Sequence, residues 1–200
     1  MTQTRVYADR GEKRRQALLE AALRVIGRDG IRGVTHRSVS AEAQIALGAT
    51  TYYFDSKEHL IEECLRYAAD AEIAALEDAI GRIDPTALTA PEWADSLVTW
   101  LGDEVAGPAR ARLIARYHLQ LEAAARPELR DAYDAWTRSA FRLAERMLSA
   151  AGSANPQLDA VTLLAAVDGM RLNQLARTDK RAGPRSLRPA LERLMAQLLE

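Results

Sequence analysis

The stretch that decides the fold runs from residue 46 to residue 58 and reads Ala-Leu-Gly-Ala-Thr-Thr-Tyr-Tyr-Phe-Asp-Ser-Lys-Glu. Its first part predicts a short helix over about 46 to 52 that carries small residues, hydroxyls and phenols. A helix that only filled a core would carry Leu or Ile at this density. The composition favours a surface that another molecule approaches closely.

Helical segments are predicted on both sides of this stretch. Thr35 is a suitable N-cap for a second short helix through Ala43. Asp55 and Glu58 have the spacing of a capping box that begins a long helix ending near Arg82. An apolar stripe predicts the first helix, over about 12 to 28, through Leu18, Ala22, Val25 and Ile26. Short helix, tight turn and short helix, packed on a preceding helix, is the sequence plan of a helix-turn-helix.

In a helix-turn-helix the second short helix enters the major groove of DNA, where exposed side chains must be small or form hydrogen bonds. We therefore expect Gly48 and Ala49 to let the backbone approach DNA closely. Leu47 or Ala49 can contact a thymine methyl group. The hydroxyls of Thr51 and Tyr52 can reach phosphates or base edges.

Residues on either side of this helix are candidates for binding phosphate. Thr35, Arg37 and Lys57 are the predicted donors, and Thr35 and Lys57 lie near helix N-termini, which favour anions. Residues 1–60 hold 10 Lys/Arg against 7 Asp/Glu, whereas residues 61–200 hold 17 against 21. This basic excess at one end suits binding of a polyanion, although a solvated basic tail is the alternative.

Aromatic residues at the end of the short helix have two interpretations. Tyr52, Tyr53 and Phe54 are either part of the DNA-contacting surface or a plain aromatic core cluster. We assign Phe54 to the core.

The pattern is helical almost throughout, which predicts an all-α protein of about nine helices, three short ones followed by about six longer ones. Thr89-Ala-Pro-Glu92 is a second capping box. Asn155-Pro156 supplies a cap and a first-turn proline for a helix over about 156 to 178. The last helix follows Gly183-Pro184, and its stripe comprises Leu187, Leu191, Leu194 and Leu198.

Aromatic and polar side chains among the apolar stripes of the C-terminal helices predict a pocket for a small molecule. The candidates are Trp100, Tyr117, His118, Leu121, Trp136, Asp168 and Arg171. A packed core in which the polar ends of these side chains are hydrogen-bonded within the protein has the same pattern, so that alternative remains open.

Asp168 is the most informative of these candidates, because it lies on an apolar stripe. The stripe comprises Val161, Leu164, Ala165, Leu172 and Leu175. Burial of its carboxylate is unfavourable unless the group is paired or faces a cavity. Arg171 lies three residues further on, so the two form an ion pair or contact a ligand.

Several classes of protein are disfavoured. No apolar run approaches the roughly 20 residues of a membrane span, and Met1 to Arg15 has no signal-peptide core, so we expect a cytoplasmic protein with no membrane partner. The single cysteine, Cys64, cannot form an internal disulfide. His36, His59 and His118 lack metal-site spacing, and catalytic motifs are absent. We expect no metal, no cofactor and no enzymatic activity.

The segments Leu18–Leu23, Val34–Val39 and Gly48–Ile61, together with Gly30, resemble the N-terminal DNA-binding region of TetR-family transcriptional regulators. This resemblance implies a homodimer with a three-helix DNA-binding head. It also implies a variable helical C-terminal domain that binds an inducer and forms the dimer interface.

The resemblance also implies roles for individual residues. Thr35 and Arg37 match the family's DNA contacts in the second helix, and Lys57 matches its phosphate-binding lysine. The residues that match recognition-helix contacts are Leu47, Gly48, Ala49, Thr51, Tyr52 and Tyr53.

The turn departs from the family's usual pattern. Gln44-Ile45-Ala46 stands where Gly-Val-Ser is common, and Thr50-Thr51 stands where Leu-Tyr is usual. We expect Gln44 to adopt a left-handed conformation at a cost of about 1 kcal/mol. Ala46 cannot cap the next helix, which forgoes about 1 kcal/mol.

These observations predict a DNA-binding helix-turn-helix domain over residues 1–56 and an effector-binding and dimerisation domain over residues 57–200. We expect a homodimer, formed through the last two helices, that represses from a palindromic operator and is released by a small molecule. One alternative is a DNA-binding regulator that is ligand-independent or partner-dependent. Another is a ligand carrier or interaction protein whose head has lost DNA binding.

Overall fold

The computed structural model describes residues 2–177 and 183–200, with residues 2–9 described by their backbone alone. Within these ranges the chain forms nine α-helices and no β-strand, which confirms the predicted all-α class. The helices, α1 to α9, are Thr2–Asp29, His36–Ala43, Leu47–Tyr53, Lys57–Gly81, Ala90–Glu104, Gly107–Ala125, Arg130–Ala150, Pro156–Ala176 and Arg188–Leu198. None of these described helices is long and apolar enough to cross a membrane.

The first helix is longer than the sequence indicated, because it begins at Thr2 rather than near residue 12. The apolar stripe that located α1 begins at Leu18, and the polar turns before it give no such signal. The core stripe itself is confirmed, since its four members, Leu18, Ala22, Val25 and Ile26, are completely buried.

Three of the predicted N-caps are present. Thr35 Oγ1 accepts a hydrogen bond from the N–H of Ser38 at 3.0 Å. The N–H of Thr89 donates to the Glu92 carboxylate at 2.8 Å, as a capping box requires. The side chain of Asn155 accepts from the first turn of α8.

The predicted capping box of α4 is wrong. Ser56 caps this helix, since its Oγ accepts a hydrogen bond from the N–H of His59 at 3.0 Å. Because α4 begins at Lys57, the N-cap position falls one residue after Asp55, and Glu58 is too close to the helix start to complete a box.

The chain divides into two compact units. The first comprises Met1–Asp70 and Ala111–Asp134, and the second comprises Ala71–Arg110 and Ala135–Glu200. The predicted DNA-binding segment, residues 1–56, lies wholly within the first unit. The functional boundary at residue 56 stays a prediction.

Each unit has its own packing. In the first, α1 packs on α2 and α2 packs on α3. In the second, α5 packs on α9, and the core of this unit includes Trp93, Leu101, Leu148, Leu191 and Met195. The last helix therefore turns much of its apolar face inward.

Helix α8 buries a different face from the one the sequence indicated. Its buried residues are Ala160, Leu163, Val167 and Arg171. Val161 and Leu172, which belong to the predicted buried stripe, are 49% and 55% exposed. Because α8 is apolar on most sides, its periodicity does not mark one buried face. Residue 178, the predicted end of this helix, lies outside the described residues.

Candidate nucleic-acid interface and ligand cavity

Helices α2 and α3 are joined by a buried pair of hydroxyl groups. Ser40 Oγ and Thr50 Oγ1 form a hydrogen bond, and the two residues are 5% and 0% exposed. At the C-terminal end of α3, His36 Nε2–H donates to the carbonyl oxygen of Phe54 at 2.8 Å. Phe54 is 1% exposed, which confirms its assignment to the core. These contacts fix the orientation of α3 against α2.

The turn between the two helices has the predicted strained conformation. Gln44 has φ 56° and ψ 38°, and it is the only non-glycine residue with positive φ in the described part of the chain. The N–H of Ile45 donates to the carbonyl oxygen of Ser40 at 3.0 Å and so closes the turn. Ala46 provides no side-chain cap for α3, as expected.

Helix α3 exposes one of its faces. Leu47 and Tyr52 are 44% and 79% exposed, and Thr51 is also exposed. A Cβ atom added at Gly48 would meet no atom within 4 Å, so packing inside the chain does not require glycine at this position. The glycine instead leaves the backbone of α3 accessible from outside.

The other two predicted residues of α3 are partly buried. The ring of Tyr53 packs edge-on against Tyr52, with their centroids 5.0 Å apart. Its hydroxyl oxygen lies 3.6 Å from the point where a Cβ atom of Gly11 would be, so Tyr53 extends towards α1. Ala49 is half-buried. Tyr52 is therefore the more accessible of the two phenols.

The predicted phosphate donors lie at helix starts. Thr35 and Arg37 are exposed at the beginning of α2, and Lys57 is the first residue of α4. The hydroxyl of Thr35 also takes part in the cap of α2, through Ser38. All nine predicted DNA-binding residues therefore belong to one compact unit.

Two arginines of α1 hold the last turn of α2 through an ion-pair cluster. Arg28 Nη1 and Arg24 Nε each donate to a different carboxylate oxygen of Glu42, both at 2.8 Å. Hydrogen bonding to Arg28, and then to Arg24, lowers the pKa of Glu42. These two cations are therefore engaged in positioning α2 on α1.

The second unit contains a cavity of about 200 Å³ whose lining is almost entirely apolar. Four helices and the residues following α4 supply its walls, through Leu76, Ala79, Ile80, Ile83, Trp93, Ser96, Leu97, Trp100, Ala140, Leu143, Ala144, Met147, Leu163, Leu164 and Val167. The hydroxyl of Ser96 donates to the carbonyl oxygen of Glu92 in its own helix. A lining of this kind suits a small apolar molecule.

Trp100 lines this cavity and also stacks on a buried cation. The guanidinium carbon of Arg171 lies 4.2 Å from the centroid of the Trp100 ring, and the Arg171 side chain is 4% exposed. Its Nε donates to Glu104 at 2.6 Å, and Nη1 lies 3.3 Å from Asp168 and 3.6 Å from Glu72. The sequence indicated that Asp168 is the buried member of this ion pair, but the buried member is Arg171.

The other predicted ligand residues are distributed over both units. Tyr117, His118 and Leu121 belong to the first unit, where Leu121 is 69% exposed. The imidazole of His118 lies 3.5 Å from the point where a Cβ atom of Gly30 would be, and Gly30 has φ 71°. Trp136 is 6% exposed within the second unit. Of the seven candidates, Trp100 is the one that lines the cavity of the second unit.

Sequence reasoning missed the contribution of α4 to this cavity. Leu76, Ala79 and Ile80 lie in its last two turns, and none of them is among the ligand candidates that the sequence indicates. The spacing of Leu76, Ile80 and Ile83 was the available signal, because it places three apolar side chains on one face.

Comparison with known families agrees with this architecture. Residues 18–64 match the bacterial regulatory proteins of the tetR family, and residues 85–200 match the tetracyclin repressor-like C-terminal domain. The second match alone covers more than half of the chain. The chain therefore belongs to the TetR family, which confirms the resemblance and the prediction of a regulatory protein rather than an enzyme.

A curated relative is the HTH-type transcriptional regulator BetI of Burkholderia thailandensis. It is 31% identical over 105 residues, which cover 44% of this chain and 54% of the relative. The chain thus spans about half the length of the curated relatives of this type that it matches.

Solved structures are similar over most of their length. A TetR-family member (SCO1917) from Streptomyces coelicolor A3 is 36% identical, with a TM-score of 0.66, over 90% of this chain and 97% of that chain. The multidrug binding protein EbrR in complex with ethidium is 34% identical, with a TM-score of 0.64, over 90% and 97%. Its complex with proflavin is 36% identical, with a TM-score of 0.60, over 90% and 99%.

Proposed function

We propose that this chain is a transcriptional repressor that binds a palindromic DNA operator as a homodimer and is released by a small, mostly apolar molecule. The observation that carries this proposal is the exposed face of α3, with Leu47 and Tyr52 on the outside and open space at Gly48. The second helix of a helix-turn-helix enters the major groove of DNA. Family membership supports the same role for α3.

The contacts with DNA follow from the chemistry of the exposed side chains. Close approach at Gly48 and Ala49 allows Leu47 to contact a thymine methyl group. The hydroxyl groups of Thr51 and Tyr52 form hydrogen bonds with base edges or phosphates. These are the residues that set the operator sequence.

A second group of residues binds the DNA backbone. Thr35, Arg37 and Lys57 donate to phosphates at the starts of α2 and α4, where helix dipoles favour anions. Tyr53 adds a phenol hydroxyl at the edge of α3. Phosphate contacts weaken as salt rises, since binding releases counterions from DNA.

The homodimer is proposed to form through α8 and α9. Leu158, Val161 and Leu172 are exposed on one side of α8, at 59%, 49% and 55%. Ala165 and Gly169 are exposed between them, and such small residues allow two helices to approach closely. A two-fold homodimer carries one α3 helix for each of two operator half-sites, whose centres lie about 34–36 Å apart.

The ligand is proposed to occupy the cavity of the second unit, with Trp100 as its aromatic wall and Asp168 and Arg171 supporting that ring. Tyr117, His118, Leu121 and Trp136 stay candidates for further ligand contacts. The similarity to EbrR bound to ethidium and to proflavin supports a flat aromatic ligand.

Helix α4 provides the proposed coupling between ligand and DNA. It carries Lys57 in its first turn, and it contributes Leu76 and Ile80 to the cavity in its last two turns. A ligand that favours a different position of α4 would change the spacing of the two DNA-reading helices. We also infer a cytoplasmic location, since that is where the operator would be.

The test is to select duplexes from random-sequence DNA with the purified protein and to measure affinity for the selected duplex at two salt concentrations. Arg37→Ala should weaken binding several-fold at low salt and reduce the salt slope by about 1. Tyr52→Phe should change which sequences are preferred. Arg138→Ala, an exposed arginine of the second unit, is the matched control and should bind like the parent.

Each alternative predicts a different result of this test. Selection that enriches no sequence would exclude operator binding and favour a ligand carrier. Specific binding that ethidium and proflavin leave unchanged would favour a regulator that is ligand-independent or partner-dependent.

A further inference from the structure

We propose that Arg171 is a positioning residue that transmits occupancy of the cavity from Trp100 to helix α4. The inference rests on the proposed function, in which a ligand in the cavity weakens operator binding. It goes further by naming the contacts through which the ligand acts, namely the stack of Arg171 on Trp100 and the ion pair of Arg171 with Glu72.

The first step is the contact between cavity wall and cation. Trp100 lines the cavity, and the guanidinium of Arg171 lies 4.2 Å from its ring centroid. Protein interiors are close-packed, and the Arg171 side chain is 4% exposed, so there is little free space behind the ring. A ligand that pushes on or tilts Trp100 must therefore displace the guanidinium.

The second step is the unequal strength of the guanidinium's ion pairs. Arg171 is held most closely by Glu104 of α5, at 2.6 Å, and by Asp168 of its own helix, at 3.3 Å. The ion pair with Glu72 of α4 is the longest of the three, at 3.6 Å. A displacement of the guanidinium away from Glu72 therefore weakens a contact that is already the longest of the three.

The third step is that one nitrogen of the Arg171 guanidinium can form a further hydrogen bond. Arg171 Nη2 is buried and makes no hydrogen bond with the described residues. An unmet buried donor is costly, so a rotation that lets Nη2 find an acceptor is favourable. A new hydrogen bond at Nη2 would thus offset part of the cost of separating Arg171 from Glu72.

The fourth step is the continuity of α4. Glu72 lies within a single helix of 25 residues that begins at Lys57. A helix moves largely as a rigid element, so loss of the ion pair between Arg171 and Glu72 affects the position of the first turn of α4. Glu77 offers a comparison on the same helix, because its ion pair is with Arg146, at 3.5 Å.

A double-mutant cycle tests the proposal without any ligand. Ala144→Phe adds an aromatic ring to the cavity lining, so that the side chain itself fills part of the space that a ligand would occupy. Fluorescence anisotropy measures the affinity of each protein for the selected operator duplex. Ala144→Phe is introduced into the parent, into Glu72→Gln and into Glu77→Gln, and each resulting protein is compared with the same background without Ala144→Phe. The parent's own operator binding is measured first, and its absence would refute the proposed function itself.

We expect Ala144→Phe to weaken operator binding about tenfold, a typical allosteric coupling. The effect should fall below about twofold in the Glu72→Gln background and stay near tenfold in the Glu77→Gln background. Equal losses in all three backgrounds, or no loss in any, would overturn the role of Arg171 while leaving operator binding established.

Proflavin provides a second measurement in case Ala144→Phe does not fold, which circular dichroism would show. With Glu72→Gln, the affinity for proflavin in the absence of DNA should stay within about twofold of the parent, while release of the operator by the dye falls about tenfold. Arg171→Lys should also reduce release of the operator at saturating dye, because lysine keeps the charge but loses the planar stack on Trp100. Unchanged release in both variants, or a parent that retains its operator at saturating dye, would contradict the proposal.

Discussion

The hydroxyl groups of Ser40 and Thr50 are hydrogen-bonded to each other in the interior of the first unit, between α2 and α3. Neither residue is more than 5% exposed, so water cannot replace either partner. A buried hydroxyl that loses its partner carries its full desolvation cost. This one contact therefore helps to specify how α3 packs against α2.

The first prediction concerns this pair. Thr50→Val removes one hydroxyl with little change of shape and leaves Ser40 unsatisfied, so it should lower the free energy of unfolding by about 1–3 kcal/mol. Adding Ser40→Ala should recover part of that loss, because neither polar group then remains buried. Denaturant unfolding measures both. Thr51→Val, at an exposed position of the same helix, is the control and should stay within about 0.5 kcal/mol of the parent.

The second prediction concerns the turn. Gln44 has φ 56°, a conformation that glycine adopts without steric cost. Gln44→Gly should therefore raise the free energy of unfolding by about 0.5–1 kcal/mol, and Gln44→Val should lower it. Gln16→Gly, at an exposed site inside α1, should instead lower it by about 1 kcal/mol. Equal effects of glycine at both positions would contradict the role assigned to the turn.

Local features of this fold could be predicted from the sequence because they depend on few neighbours. The caps at Thr35 and Asn155 and the left-handed Gln44 each follow from short-range stereochemistry. The α4 cap shows the limit of this reasoning, because a shift of one residue in the helix start replaced Asp55 by Ser56.

Features that depend on several distant segments could not be predicted. The cavity combines side chains of four helices. The apolar periodicity of any one helix does not indicate that the four of them enclose a common cavity. The partners of Arg171 include Glu72 and Glu104, which lie far away in the sequence. The sequence predicts the wrong buried face for α8 because Val161 and Leu172 are as apolar as the residues that pack inward.

The third prediction tests the proposed dimer. Leu172→Glu places a charge on the exposed apolar face of α8 and should convert a dimer into a monomer, because an unpaired charge is unfavourable in an apolar interface. Sedimentation or light scattering across a range of concentrations measures this change. Leu121→Glu is a matched control, since Leu121 is another exposed leucine, in the first unit. A parent that is monomeric at every concentration would refute dimerisation through α8.

The fourth prediction concerns the pH dependence of the ion-pair cluster. Arg28 and Arg24 lower the pKa of Glu42 from its ordinary value of 4.5. A carboxyl group whose pKa is lowered by folding stabilises the protein above its ordinary pKa, and this stabilisation is lost as the pH falls through the folded-state value. The parent should thus be more stable than Glu42→Gln near neutral pH. This difference should shrink towards zero in acid.

Urea unfolding of both proteins from pH 7 to pH 3 measures that difference. Glu128→Gln, at an exposed position of the same unit, should follow the parent throughout the range. Added salt should also reduce the advantage of the parent, since Arg24 and Arg28 are partly exposed and their interactions are screened. A difference between parent and Glu42→Gln that does not depend on pH would show that Glu42 contributes by packing, and that its charge does not hold α2 on α1.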